Sequence, residues 1–156
     1  MTHIVARTCI RRSPVQIFDF ATTPAHWAQW LPSAEVSGAV DHPLCAGEQV
    51  TEALLISRRR STVDWTVIEC EPPRRWAMAG ILNGLGHVVV TFELTPRPDG
   101  TLFERDFAYA MRRGPYRLLD WLLVRPQIET DSTLALQRLR SLLEASRFWT
   151  QSAVGS

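Results

Sequence analysis

From Glu35 to Met111 the apolar residues recur with a period of two. Turn signals divide this stretch at Asp41-His42-Pro43, at Ser57 to Ser61, at Pro72-Pro73, at Asn83-Gly84 and from Pro96 to Gly100. The pattern predicts strands over 34–39, 48–57, 61–70, 74–81, 86–95 and 101–112. Antiparallel strands in such a run share one apolar face, and that face needs a cover. Only one later element is large enough to supply it. Gly114-Pro115 opens a helical stretch that runs to about Ser146, with an apolar stripe of Val124, Ile128, Ala135, Leu139 and Leu142. Pro126 lies inside this stretch, where an interior proline costs about 3 kcal/mol and kinks a helix.

Before the strand run come three shorter elements. Residues 3–11 alternate as a strand, with Ile4, Ala6, Thr8 and Ile10 on one side. Ser13, Pro14 and Gln16 form a helix start with a capping box, and Val15, Ile17, Phe18 and Ala21 supply the buried face. A second short helix starts at Thr23-Pro24, carries Trp27 and Trp30, and ends at Pro32. The expected architecture is an α+β fold. A seven-stranded curved antiparallel sheet wraps around a long C-terminal helix, with two short helices after strand 1. Residues 1–146 form one domain, and 147–156 read as a flexible tail.

The order of elements and their local motifs resemble the START-like (SRPBCC) superfamily, in particular its polyketide cyclase/dehydrase-like branch. The residues that carry the resemblance are Ser13-Pro14-Val15-Gln16-Ile17-Phe18-Asp19-Phe20 and Thr23-Pro24-Ala25-His26-Trp27-Ala28-Gln29-Trp30. Glu71-Pro72-Pro73-Arg74-Arg75, Asp99-Gly100-Thr101 and Leu119-Asp120-Trp121-Leu122-Leu123-Val124-Arg125-Pro126 complete it. The resemblance implies a helix-grip fold with a cavity between sheet and helix. Its members bind apolar or aromatic ligands there, and some catalyse cyclisation or dehydration.

Composition excludes several other functions. The 17 basic residues are all arginine, and the net charge is +1. Without lysine there is no Schiff-base chemistry and no P-loop. A charge so near zero argues against a nucleic-acid partner, and Arg58-Arg59-Arg60 reads as a solvated hairpin tip. No apolar run approaches the ~20 residues of a membrane span. The start MTHIVARTCIRRS lacks the apolar stretch of a signal peptide, so a cytoplasmic location is expected. Cys9, Cys45 and Cys70 lack metal or redox spacing and read as three reduced thiols, two of them on strands. The four histidines show no ligand spacing, and neither metal nor cofactor is expected.

Candidate site residues come from polar groups that interrupt apolar faces. In the last strand Phe103, Phe107, Tyr109 and Met111 share one face, and Arg105 belongs to it. A charge on an inner face needs a carboxylate, water or a ligand. In QVTEALLIS, Glu52 interrupts Val50, Leu54 and Ile56 in the same way. The two are expected to face the cavity and to pair through water or flank a ligand. The plainer reading makes Arg105 part of a structural ion pair. Trp65, Trp76, Met78, Phe107, Met111, Leu119 and Leu123 are the expected walls, and Tyr109 a hydrogen-bond donor. Tryptophans at strand spacing serve as plain core as readily as cavity wall.

The hairpin at Asn83-Gly84 conflicts with this set. A two-residue turn puts Trp76 and Met78 on the face of His87, Val89 and Thr91, whereas the apolar face is Val88, Val90, Phe92 and Leu94. A bulge at Gly80 or Gly86 would reconcile them. The apolar tip from Ile81 to Leu85 and the helix segment 116–124 could also serve a homodimer. Three readings follow. The first is a protein that binds a small apolar or aromatic molecule. The second is an aromatase/cyclase or dehydratase in which Arg105 stabilises an enolate and Tyr109 or Glu52 moves protons. The third is a homodimeric interaction module without ligand.

Overall fold

The computed structural model describes residues 1–32, 35–37, 40–56, 59–82, 86–110 and 120–145. The described strands are β1 (Thr2–Ile10), β2 (Glu35–Ser37), β3 (Gln49–Ile56), β4 (Arg59–Glu71), β5 (Arg75–Leu82), β6 (Gly86–Arg97) and β7 (Gly100–Tyr109). They form one antiparallel seven-stranded sheet in the order β1-β7-β6-β5-β4-β3-β2. Only the β1–β7 pairing joins strands distant in sequence; every other neighbour pair is consecutive. The chain therefore builds a meander from β2 to β7 and adds β1 at the end.

Helix α1 (Pro14–Ala21) starts as the capping box predicts. Gln16 N–H donates to the Ser13 hydroxyl, and the Ser13 N–H donates to the Gln16 side chain. A 3-10 turn at Pro24–His26 leads into α2 (Trp27–Trp30). Trp27 and Trp30 seal one end of the core. Trp27 meets Trp76 edge-on, and Trp30 packs on Phe92 and Phe103. The Trp27 indole donates to the Ala21 carbonyl and the Trp76 indole to the Leu44 carbonyl, so both buried N–H groups are satisfied.

A π-helical turn (Asp120–Val124) precedes the long helix α3 (Arg125–Ala145). Pro126 lies inside one uninterrupted helical run, 120–145, one residue past the point where π winding gives way to α. Helix α3 packs against β1 and α2 and buries Ile128, Ser132, Ala135, Leu136, Leu139 and Leu143. Val124 and Leu142 are partly buried. The Arg12 guanidinium donates to the Leu143 carbonyl and ties the end of α3 to the start of α1.

The β5–β6 hairpin differs from the expected two-residue turn. Leu82 pairs with Gly86, so residues 83–85 separate the strands, and pairing runs unbroken to Arg75 and Glu93. One extra residue in the loop, rather than a bulge at Gly80 or Gly86, puts Trp76 opposite Phe92 and Met78 opposite Val90. Gly86 has φ 79°, a conformation that glycine adopts without side-chain strain. The register shift in the sheet lies instead between Val67 and Glu69, where β4 pairs with β5. Leu82 is buried in the core, which removes it from the expected apolar tip; Ile81 is 62% exposed, and 83–85 lie outside the described residues. All three cysteines are free thiols, and two of them, Cys9 on β1 and Cys70 on β4, lie on strands; Cys9 and Cys45 are exposed and Cys70 is half-buried. The expected tail 147–156 also lies outside the described residues.

Gly100 closes the β6–β7 turn at φ 157°, and a Cβ there would overlap the Ile10 carbonyl oxygen of β1. Gly100→Ala is therefore expected to lower the urea-unfolding free energy by about 2 kcal/mol or more. An exposed turn substitution such as Asp99→Ala should stay within about 0.5 kcal/mol.

Candidate functional site

Among the described residues, the inner face of the sheet carries charged side chains at two places. On β3, Glu52 pairs with Val63 of β4 and lies diagonal to Trp65. On β7, Arg105 pairs with Phe92 of β6 and with Ala6 of β1. The alternation that sends Phe103, Phe107 and Tyr109 inward carries Arg105 with them. Curvature of the sheet brings β3 and β7 toward the first half of α3. A hollow of about 60 Å³ remains there, lined by Glu52, Leu54, Arg105, Phe107, Gln127, Ile128, Asp131, Ser132 and Ala135 among others. That volume holds a few water molecules or one small polar group.

Glu52 is 3% exposed. One carboxylate oxygen accepts a hydrogen bond of 2.7 Å from the Trp65 indole. Burial pushes its pKa up to about 7, against the lowering effects of the indole and of the Arg105 charge. Arg105 is half-buried overall, but its Nε is enclosed and has no hydrogen-bond partner. Its Nη1 donates to the Ser132 hydroxyl at 2.9 Å, and the guanidinium carbon lies 5.6 Å from the Phe107 ring centre. Burial lowers its pKa to about 10, and the charges of Glu52, Asp131 and Asp106 resist that fall. Among the described residues no ion pair joins Arg105 directly to a carboxylate. The Asp131 carboxyl is also raised by burial, while Gln127 and Arg105 act to lower it. Gln127 donates to the Leu55 carbonyl at 2.9 Å and so links the start of α3 to β3 across the mouth of the hollow.

The structure thus brings Glu52, Arg105 and Phe107 to one hollow, with Trp65 behind Glu52. Tyr109 is fully buried beside Phe107, edge-on at 6.0 Å. Trp76 stacks on Phe92 at 5.1 Å, and Met78 packs in the same core. Trp76, Met78 and Tyr109 are not part of the lining of this hollow. Leu123 is 56% exposed, so it is not the buried wall that its position in an all-round apolar segment suggested. Met111 and Leu119 lie outside the described residues. Sequence reasoning missed Gln127, Asp131 and Ser132. A signal for Ser132 was present: it occupies the α3 stripe between Ile128 and Ala135, where a polar residue needs a partner inside.

A larger groove of about 920 Å³ lies elsewhere, between Phe20 and His26 on one side and Leu134 to Ala145 on the other. Among the described residues, no buried charge lines it. The smaller hollow has the convergent polar groups that fix a ligand's orientation.

Glu52 makes stability depend on pH in a defined direction. A carboxyl group whose pKa is raised by folding contributes most below its unfolded value, near 4.5, and loses that contribution as pH rises to about 7. The unfolding free energy of the wild type relative to Glu52→Gln is expected to fall by an amount on the order of a few kcal/mol between about pH 5 and pH 8. Urea titrations of both proteins across that range measure it, and a flat difference would contradict the assignment.

Solved structures of other proteins share this fold, and three illustrate the likeness. Protein CV1439 from Chromobacterium violaceum superimposes with a TM-score of 0.70 at 17% identity, over 92% of this chain and 99% of that one. A Rhodobacter sphaeroides protein gives 0.70 at 23% identity, over 93% of each chain. The Aha1 dimer from Colwellia psychrerythraea gives 0.65 at 18% identity, over 92% of this chain and 97% of that one. At these identities the likeness establishes the helix-grip fold. Among curated proteins nothing matches the sequence. The family model described as "Polyketide cyclase / dehydrase and lipid transport" matches residues 1–144, and with that span the chain belongs to this family.

Proposed function

We propose that this protein binds a small apolar or aromatic molecule between the sheet and α3, with Arg105 and Glu52 orienting its polar end. The observation that carries the reading is the enclosed Arg105 Nε, a buried donor without a partner, on a side chain that lines a hollow together with Glu52. An unsatisfied buried N–H costs about 1–3 kcal/mol, and a ligand oxygen removes that cost. The hollow takes the polar end alone, since whole ligands of drug size occupy roughly 300–1,000 Å³. The rest of the molecule lies along Leu54, Leu55 and Ile128, where burial of apolar surface contributes about 25 cal/mol per Å². Binding takes place inside one protomer and needs neither metal nor cofactor. A cytoplasmic location suits such a ligand carrier; among the described residues no helix is long and apolar enough to cross a membrane.

A second reading follows from Glu52. A buried carboxyl group with a pKa near 7 is suited to general acid–base work, and Arg105 beside it suits a developing enolate. In that reading the family's cyclase or dehydratase chemistry uses the same hollow. A poly-ketone substrate would be turned over by the wild type and bound without turnover by Glu52→Gln.

Native mass spectrometry of freshly purified protein is expected to show a monomer mass with a small molecule retained. Ala135→Phe, which fills the hollow from α3, is expected to lose that molecule and to reduce ligand-induced thermal stabilisation by several degrees. A wild type that carries nothing, and whose unfolding temperature no apolar ligand raises, would remove the binding reading.

A further inference from the structure

Arg105 is compensated in an unusual way. Ser132 takes Nη1, Phe107 covers the guanidinium, and Nε is enclosed with no partner. The carboxylates of Glu52 and Asp131 act on it through space, and none touches it among the described residues. A buried cation gains most from an anion in direct contact, and a guanidinium favours a carboxylate that its N–H groups can bind side by side. A neutral carbonyl would satisfy the N–H and leave the positive charge without a contacting anion.

An incoming carboxylate creates a second problem. The hollow already holds two acidic groups against one cation. From β2, Val36 faces Glu52 across the strand pair; from β4, Val63 and Trp65 do; from the end of α2, Leu31 lines the hollow. None of these titrates. The charged group that acts on Glu52 is Arg105 of β7; Asp131 of α3 lines the same hollow and has its own tie to Gln127 and a second cation in Arg138. Glu52 is the more deeply buried acid, so it is the one that gives up its charge when a third anion arrives.

We propose that the hollow receives the carboxylate of an apolar monocarboxylic acid, and that Glu52 meets it as the neutral acid, so that ligand and one proton enter together. This rests on the hollow being the ligand site and specifies what it selects. The proton comes from solvent and ends on the Glu52 carboxyl, whose O–H then donates to the ligand or to a water between them. No covalent bond to the ligand forms or breaks, and the net charge of the site is unchanged by binding.

Calorimetric titration of the full chain tests this, with octanoate as probe and 1-octanol as its neutral match. Each is measured between about pH 6 and pH 9 in two buffers of different ionisation heat. Octanoate is expected to bind with a Kd that is level near pH 6 and rises about tenfold per pH unit above the Glu52 transition, with uptake approaching one proton. Glu52→Gln is expected to abolish both the slope and the uptake, and Asp131→Asn to keep them. Arg105→Gln is expected to weaken octanoate at least tenfold more than it weakens octanol, because octanol loses a hydrogen bond and octanoate loses its counter-charge as well. A pH-independent wild-type Kd for octanoate overturns the proposal, as does a slope lost in Asp131→Asn and kept in Glu52→Gln. Octanol binding as tightly as octanoate also overturns it while leaving the cavity reading standing. Failure of both probes, together with an empty protein in native mass spectrometry, overturns the two together. The wild-type pH profile decides the matter even if a variant fails to fold.

Discussion

A guanidinium on the apolar side of a sheet sets the terms for everything packed around it. Arg105 stands in the middle of β7, so it cannot swing out to solvent from a strand end. Its charge must be met from inside. Three elements contribute: β3 sends Glu52, α3 sends Ser132 and Asp131, and β7 itself places Phe107 under the cation. The same contacts bind the sheet to its only long helix. What holds the fold at this point is therefore also what makes the point chemically distinct.

The rest of the core is divided from this polar end. Trp27, Trp30, Trp76, Phe92 and Phe103 form a continuous aromatic block under α1 and α2. Large rings fill that end, and the indole N–H groups of Trp27 and Trp76 go to backbone carbonyls. Toward the other end the inward side chains are smaller: Ala135, Ser132 and Leu54 leave space that aromatic rings would have closed. The hollow lies where the large residues are not. That explains why Trp76 and Met78, which look like cavity walls in a strand pattern, belong to the packed end.

The candidate site was partly legible in the residues themselves. Arg105 and Glu52 each break an otherwise apolar alternation, and alternation places a side chain on a face without further information. Their common hollow was not legible, because it depends on sheet curvature and on how far β3 lies from β7 across three intervening strands. The partners from α3 were harder still. Ser132 sits on the apolar stripe as a small neutral residue, while Gln127 and Asp131 flank that stripe and resemble ordinary solvent-side polar positions. The face of Trp76 turned on a single residue of loop length: Asn83-Gly84 points to a two-residue turn, and the pairing of Leu82 with Gly86 requires three. A loop's length is a tertiary decision, since the strand faces on both sides must be satisfied at once.

Local chemistry alone determined the strand run, the Ser13 capping box, the inward sides of β3 and β7, and the absence of lysine-based or phosphate-binding motifs. These follow from steric periodicity, backbone hydrogen-bond needs and residue type, all of which act over a few positions. Tertiary structure decided the β5–β6 register, the placing of Pro126 at a change of helical winding, and the exposure of Leu123. It also decided the meeting of Glu52, Arg105 and Ser132 around one hollow. Those depend on contacts between residues far apart in sequence, and only the curved sheet with α3 across it brings Glu52 and Arg105 near enough to shift each other's protonation.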